Sequence, residues 1–208
     1  MENVKVVSHP VIAHSLTVLR DINTEAAAFR RHADSVAHIL LQHATFDLSL
    51  RETTVTTPLA ETKGYDIADT VIAVPILRAG LAMLPAVQQL IPNVRVGFIG
   101  LERDEATAVA HQYYNKIPGD LAEQRVMVID PMLATGGTMD DTIRAAKSKG
   151  ADNIVIVCIV SSPEGVERIT SNHSDVTIYT AALDEKLDHR KYIVPGLGDF
   201  GDRYFDTL

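Results

Sequence analysis

The chain has 208 residues, 46% of them hydrophobic and 22% charged, a balance that excludes a disordered or fibrous protein. Its formal net charge of −8 argues against a broad basic surface for nucleic acid or an anionic membrane. The one cysteine, Cys158, excludes an internal disulfide, and no apolar run approaches the roughly 20 residues that span a bilayer. Polar residues interrupt the first twenty positions, so we expect no secretory signal and a cytoplasmic protein.

The first element that the sequence predicts is an amphipathic helix over residues 25–44. Its apolar residues recur at the spacing of one helix face, and we expect Thr24 or Asn23 to cap its N-terminus. The predicted buried residues are Phe29, Ala33, Val36, Ala37, Leu40 and Ala44.

From Thr70 onward, short β-branched runs alternate with segments of helical length. The runs lack polar alternation, which is typical of parallel strands buried on both faces. This order predicts a doubly wound α/β domain whose ligand lies beyond the carboxyl ends of the strands. The predicted strands are Thr70–Val74, Val94–Ile99, Val126–Ile129, Ile154–Val160 and Val176–Thr180, and the predicted helices are Leu81–Ile91, Thr138–Lys149 and Gly165–Asn172.

Three prolines, Pro75, Pro131 and Pro195, each follow an apolar run. Because proline cannot donate to a central ladder, we expect each of them to mark the end of a strand. The loops after Pro75 and Pro131 then lie at the carboxyl edge of the sheet and are candidates for one shared site. Pro195 lies outside the predicted sheet.

The segment after the third predicted strand has the pattern of a phosphate-binding loop. An acidic residue ends the strand, two glycines follow, and a helix is predicted from Thr138. Glycines let backbone N–H groups turn towards an anion, and a helix N-terminus adds a favourable dipole. Thr138 with Asp141 also fits a capping box at an ordinary helix start, and this alternative stays open. The loop consists of Asp130, Pro131, Met132, Leu133, Ala134, Thr135, Gly136, Gly137 and Thr138.

This loop resembles the phosphoribosyl-pyrophosphate loop of the type I phosphoribosyltransferases, in the form found in their uracil branch. Three more segments, in the same order along the chain, are similar to that branch: a pyrophosphate-side loop, a flexible arm and a uracil-binding tail. They are residues 75–81, residues 103–107 with 113–116, and residues 192–203. The resemblance implies one domain over residues 1–208. Its core runs over about 70–180, and the N-terminal segment with residues 181–208 forms a hood.

The resemblance also implies a reaction. 5-Phosphoribosyl 1-pyrophosphate (PRPP) and uracil would give uridine 5′-monophosphate (UMP) and pyrophosphate, with Arg78, Arg103, Asp130 and Asp199 as catalytic residues. PRPP would contact these four residues and the rest of the loop from Pro131 to Thr138. Uracil would contact Ile193, Gly198, Asp199 and Phe200.

The same resemblance implies Mg²⁺ held mainly by substrate oxygens and water, GTP as an effector, and a homo-oligomer (a dimer or a tetramer). Neither nucleic acid nor a membrane is expected as a partner. Cys158, inside a predicted strand, is expected to be a small core residue rather than a nucleophile.

Four residues depart from the family pattern. Phe200 stands where alanine is common, Asp188 where asparagine is common, Phe46 where a basic residue is usual, and Asp206 where glycine is frequent. Two alternatives therefore stay open: a phosphoribosyltransferase for another base, and a non-catalytic nucleotide-sensing regulator on the same fold. Retention of Arg78 and Arg103 favours catalysis, because both suit a pyrophosphate clamp.

Overall fold

The computed structural model describes residues 3–103 and 110–207. The helices are α1 (Pro10–Arg20), α2 (Ala26–Ala44), α3 (Leu84–Leu90), α4 (Gly137–Lys147), α5 (Pro163–Asn172) and α6 (Phe200–Phe205), with a 3₁₀ turn at Ala79–Ala82. The strands are β1 (Val4–Val6), β2 (Leu50–Thr56), β3 (Glu61–Ile67), β4 (Val71–Leu77), β5 (Arg95–Val96), β6 (Phe98–Arg103), β7 (Ala110–Lys116), β8 (Arg125–Ile129), β9 (Met132–Leu133), β10 (Asn153–Ser161), β11 (Thr177–Leu183), β12 (Lys186–Leu187) and β13 (Ile193–Val194).

The central sheet has the order β1-β11-β10-β8-β4-β6-β7, with β5 beside β4 and β9 beside β10. Its neighbouring strands pair in parallel except for β6 and β7, which are antiparallel. From β4 the chain continues to β6 on one side, whereas from β8 it continues to β10 and β11 on the other. The order therefore reverses between β4 and β8, the point where α/β sheets bind ligands.

Helices cover both faces of this sheet. Successive strand residues point to opposite sides, so each buried strand contributes to two cores. In β8, Met127 and Ile129 pack in a core with residues of α1, α2 and α3. Val126 and Val128 pack in a second core with residues of α4 and α5. The predicted doubly wound α/β fold is confirmed. Among the described residues, no helix combines the length and the apolar character needed to cross a bilayer.

The prediction for Pro75 was wrong, since β4 runs through it to Leu77. Pro75 pairs with Ile129 at the last rung between β4 and β8, and beyond it Ile76 pairs with Ile99 of β6. Proline has no backbone N–H to donate. Because Pro75 stands at the last rung, the hydrogen-bond ladder between β4 and β8 lacks this donor only at its end. Pro131 and Pro195 do follow strand ends, at Ile129 and Val194.

The predicted helix caps were also wrong. The residue before α2 is Glu25, and its side chain makes no cap bond. The hydroxyl of Thr24, one of the two predicted caps, donates to the Val18 carbonyl instead. Helix α4 begins at Gly137 rather than Thr138, after Gly136 in the left-handed conformation, so the capping box at Thr138 does not form. The single helix predicted for 81–91 is instead the 3₁₀ turn followed by α3, with a proline in the first turn of α3.

The buried face of α2 is as predicted, with Phe29 fully buried together with the five other residues named above. We expect Phe29→Ala to lower the free energy of unfolding by about 3–5 kcal/mol, because it leaves a cavity in the core. Urea denaturation measures this loss. The matched control is Phe46→Ala, whose ring is 92% exposed; equal losses in the two variants would contradict the packing described.

Candidate active site

Two loops meet at the switch point between β4 and β8. Arg78 directly follows β4 and precedes the 3₁₀ turn. Beside it, a Cβ on Gly80 would lie 2.5 Å from the carbonyl oxygen of Ile129, the last residue of β8. Only glycine allows this approach of the two backbones, so the loop that carries Arg78 lies against the start of the loop that carries Asp130.

The loop after β8 surrounds a small open pocket of about 60 Å³. Gly136 has φ +73°, and α4 starts at the next residue. Gly136, the N-cap residue of α4, has no side chain to cap the helix. The N–H of Gly137 makes a long hydrogen bond of 3.5 Å to the Thr135 hydroxyl, and the next N–H groups of the first turn lack intrahelical acceptors. Such an end favours an anion. The lining residues are Asp130, Met132, Leu133, Ala134, Thr135, Gly136, Gly137, Thr138 and Met139, so each predicted loop residue except Pro131 faces the pocket.

Asp130 lies at the base of this pocket. Its Oδ1 accepts a hydrogen bond from the N–H of Met132 at 3.2 Å. Burial among apolar strand ends raises the pKa of the carboxyl to about 7, and the hydrogen bond from Met132 only partly opposes the shift. Near neutral pH this group can therefore either accept or donate a hydrogen bond, for example to a sugar hydroxyl.

The C-terminal segment forms a second wall. Gly196 has φ +57°, and a Cβ there would lie 2.0 Å from the carbonyl oxygen of Ile193, so the turn after Pro195 requires glycine. Asp199 caps α6, its Oδ1 accepting from the N–H of Asp202 at 2.9 Å. The Arg78 guanidinium, 63% exposed, reaches this wall, with Nη2 3.5 Å from Oδ1 of Asp202. The loop after β4 and the start of α6 are therefore neighbours.

The Phe200 ring lies in the protein core. It is 1% exposed and packs edge-on against Phe29, with ring centroids 5.1 Å apart, and in a stack on Tyr204 at 5.7 Å. A ligand at this position would meet the backbone of Phe200 and not its ring.

Sequence reasoning missed the residues that fasten this wall to the N-terminal helix. Arg20 at the end of α1 binds both carboxylate oxygens of Asp184, at 2.6 and 2.8 Å, and donates to the carbonyl of Gly196. Asp184 in turn accepts from the N–H of Gly196 at 2.8 Å. Arg203 donates to the carbonyls of Leu19 and Leu197. No local signal could have found these contacts, because Arg20 and Asp184 are 164 residues apart in sequence.

Arg103 is the last residue of β6. Its side chain and residues 104–109, which belong to the expected arm, lie outside what the structure describes, so the role of Arg103 stays a prediction.

For two of the four residues that depart from the family pattern, local hydrogen bonds or backbone conformation show what the residue does. Asp188 accepts N–H bonds from Arg190 and Tyr192, at 2.8 and 2.9 Å, and so closes the turn before β13. Asp206 ends α6 in the left-handed conformation, φ +60°, which is the reason glycine suits that position. Phe46 lines a groove of about 540 Å³ near β1 that contains none of the predicted site residues.

Cys158 lies in the core, as expected. Burial raises the pKa of the Cys158 thiol to about 12, so this cysteine is a core residue and no nucleophile. The described part of the chain holds no group of three or more His, Cys, Asp or Glu side chains that could bind a metal ion.

Known proteins resemble this chain over nearly its whole length. A family profile described as uracil phosphoribosyltransferase matches residues 6–207. A uracil phosphoribosyltransferase from Campylobacter fetus is 47% identical over 208 residues, all of both chains. The solved structure of the AQ2163 protein from Aquifex aeolicus gives a TM-score of 0.92 at 35% identity, with 98% of each chain covered.

A more distant structure shares the fold alone. It is a hypoxanthine-guanine phosphoribosyltransferase from Bacillus anthracis, 12% identical, with a TM-score of 0.52 over 76% of this chain and 79% of its own. The predicted fold class is confirmed by these structural matches.

The raised pKa of Asp130 predicts a pH-dependent stability difference. The folded carboxyl binds its proton more tightly than the unfolded one, whose pKa is near 3.8, so folding becomes less favourable as pH rises from about 4 to about 7. We therefore expect Asp130→Asn to stabilise the fold at pH 8, by at most about 4 kcal/mol at 1.36 kcal/mol per pKa unit, and to have little effect at pH 4. Thermal melts at both pH values measure this, with the exposed Asp152→Asn as control. An equal effect at the two pH values would contradict it.

Proposed function

Because the chain belongs to the uracil phosphoribosyltransferase family, we propose that it transfers the 5-phosphoribosyl group of PRPP to N1 of uracil and releases UMP and pyrophosphate. This is a pyrimidine-salvage reaction of a pentosyltransferase. The observation that carries the proposal for the site is the meeting of three segments at one edge of the sheet. They are the Arg78 loop, the pocket above Asp130, and the wall that begins at Gly196.

The chemistry separates charge. The bond between C1′ and the pyrophosphate oxygen breaks, the bond from N1 of uracil to C1′ forms, and N1 loses its proton. Positive charge develops on the ribose ring and negative charge on the leaving pyrophosphate, so a fixed cation beside the leaving group lowers the barrier. We assign this role to Arg78, whose planar guanidinium binds phosphate oxygens in pairs. Its weak, exposed contact with Asp202 leaves it available to an anion. Arg103, at the end of β6, is proposed to contact PRPP as well.

The loop from Pro131 to Thr138 is proposed to hold the 5′-phosphate of PRPP. Support comes from the start of α4, where Gly136 is left-handed and supplies no side-chain cap, so N–H groups of the first turn can point at an anion. Asp130 at the base of the same pocket is proposed to bind the ribose hydroxyls. The phosphate and the ribose then occupy neighbouring parts of one loop, which fixes the position of C1′.

The uracil base is proposed to bind the backbone at Ile193, Gly198 and Phe200. The N–H of Phe200, at the first position of α6, has no intrahelical acceptor and suits a uracil carbonyl. Asp199 is proposed to contact PRPP and the base from the same turn. Since the Phe200 ring is buried in the core, the departure from alanine leaves the pocket open to a pyrimidine.

Mg²⁺ is proposed as the cofactor. The described residues offer Asp130 but no three-ligand cluster, and Mg²⁺ keeps several waters and binds through substrate phosphates in such sites. Held with PRPP near Asp130, it would supply positive charge that neutralises part of the charge developing on the leaving pyrophosphate. We also propose a cytoplasmic location, because PRPP is too highly charged to cross a bilayer unaided. Activation by GTP stays a prediction of the resemblance.

A homo-oligomer, a dimer or a tetramer, is proposed from the hairpin of β2 and β3. Among the described strands, these two pair only with each other, in a two-stranded sheet, and an isolated hairpin is marginally stable in water. Both strands carry exposed apolar side chains that a second copy could cover. They are Leu50, Val55, Tyr65 and Ile67, with Leu59 at the tip.

The oligomer proposal predicts that charges in place of the exposed apolar side chains of the hairpin weaken self-association, whereas a charge change at a position that is already polar does not. We expect the double variant Leu59→Asp, Tyr65→Asp to shift the protein towards the monomer, because burying a charge in an interface is costly. Sedimentation velocity over a concentration series measures the shift, with Lys63→Asp on the same hairpin as control. A variant that stays assembled like the parent would remove the hairpin from the interface.

The reaction itself is tested with the purified protein, PRPP, Mg²⁺ and labelled uracil, with cytosine, hypoxanthine and guanine in parallel. We expect UMP from uracil alone. Product from a purine would support the alternative of another base. Nucleotide binding without product would support the non-catalytic regulator.

The role of Arg78 predicts a loss of turnover without a loss of folding. We expect Arg78→Ala to lower kcat about 10²- to 10³-fold, as for other groups that stabilise charge only in the transition state, while the melting temperature stays near that of the parent because the side chain is exposed. Steady-state kinetics and a thermal melt measure the two quantities, with the exposed Arg31→Ala as control. An unchanged kcat would remove Arg78 from the mechanism.

A further inference from the structure

Helix α5 lies directly behind the proposed phosphate loop. At its N-terminal end the Ser162 hydroxyl donates to the carbonyl of Ala134 at 2.6 Å, and the Ser162 N–H donates to the carbonyl of Leu133 at 2.9 Å. A Cβ on Gly165 would lie 2.3 Å from the Ala134 carbonyl oxygen. The backbone of the loop therefore packs against the first turn of α5 with no side chain between them.

One turn further along the same face of α5, Arg168 covers the two glycines of the loop. Its Cδ lies 3.3 Å from the position that a Cβ on Gly136 would take, and its Nη1 lies 3.4 Å from the corresponding position on Gly137. The side chain thus occupies the space behind the start of α4. Arg168 does not line the pocket, so it contacts the two glycines from outside the surface proposed for the ligand.

A buried carboxylate fixes Arg168 in this place. Oδ2 of Asp140 accepts hydrogen bonds from Nε and Nη2 of Arg168, both at 3.2 Å. Asp140 is 3% exposed and also accepts from Arg144, Asn172 and His173, at 2.9, 3.1 and 2.8 Å. Burial alone would raise the pKa of Asp140, but the hydrogen bonds from His173, Arg144 and Arg168 outweigh it and lower the pKa, so the group stays a carboxylate.

We propose that Arg168, held by Asp140, is a positioning residue that fixes the phosphate loop in its binding geometry. Glycine pairs are flexible, yet the N–H groups of the loop must all point at one phosphate at the same time. Arg168 restricts Gly136 and Gly137 from behind and places a positive charge near the start of α4. This inference rests on the proposed function, because it takes residues 131–138 as the phosphate site.

The test compares Arg168→Ala, Arg168→Lys and Arg144→Ala in steady-state kinetics. We expect Arg168→Ala to raise KM for PRPP about tenfold and to leave KM for uracil within twofold, because the uracil wall is elsewhere. Lysine keeps the charge and most of the stem but not the fork that binds Asp140, so Arg168→Lys should restore part of the loss. Arg144 binds the same carboxylate but is not among the nearest contacts of the two glycines, and its variant should change KM for PRPP less than twofold.

Three results would overturn the inference: an unchanged KM for PRPP in Arg168→Ala, an equal rise in Arg144→Ala, or an equal rise in KM for uracil. Should Arg168→Ala fail to fold, the lysine variant carries the test alone, and a KM for PRPP within twofold of the parent would then overturn it.

A loop variant, Thr135→Ala, separates this inference from the proposed function. If KM for PRPP rises in Thr135→Ala but not in Arg168→Ala, only the proposed role of Arg168 is wrong. No rise with either variant defeats the loop as the phosphate site as well, and the inference falls with it.

Discussion

The parallel pairing of β4 with β8 is the constraint on which the rest of the site depends. Val71 pairs with Arg125 and Pro75 with Ile129, so the two buried strands end close to the same level. Because parallel strands place their following loops at one edge, the loop that carries Arg78 lies against the start of the loop that carries Asp130, although the two are far apart in sequence. Both cores pack against β8, which makes this edge a rigid support for charged groups in loops.

The walls of the site are held by charged groups that are themselves paired. Arg20 and Asp184 satisfy both the carbonyl and the N–H of Gly196, and Asp140 accepts hydrogen bonds from α4 and α5 behind the proposed phosphate loop. A buried ion pair adds little net stability when it is complete, but removing one partner leaves a costly unpaired charge. Such pairs therefore serve to fix the geometry of the site more than to stabilise the fold.

Local patterns in the sequence were enough to predict α2, most of β4, β8, β10 and β11, and the loop after β8, because each depends on spacing within one segment. The single strand predicted over Val94–Ile99 is instead β5 and the first residues of β6. The sequence did not reveal that β4 continues through Pro75, since this depends on where the ladder to β8 stops. The partners of Arg20 and Asp140 were missed for the same reason, because they lie in distant segments that leave no periodic signal along the chain. The caps of α2 and α4 and the hairpin of β2 and β3 depend on local contacts instead. Thr24 binds the Val18 carbonyl, Gly136 is left-handed, and the two hairpin strands are almost wholly exposed, so they lack an apolar pattern.

The choice of base must lie outside the shared core. A purine phosphoribosyltransferase at 12% identity has the same fold, so the sheet and its switch point cannot by themselves distinguish the two kinds of base.

In this chain the segment after Pro195 is shaped by Gly196 and Gly198 at positive φ and anchored by Phe200 between Phe29 and Tyr204. A larger side chain at position 200 thus adds to the core, and the surface proposed to face uracil is backbone. Backbone N–H and C=O groups at fixed positions can match the carbonyls and N–H of a flat base directly, and their spacing is set by the turn rather than by side-chain identity. Arg20 and Arg203 hold that turn against α1, so we expect them to fix the spacing of the groups proposed to select a pyrimidine.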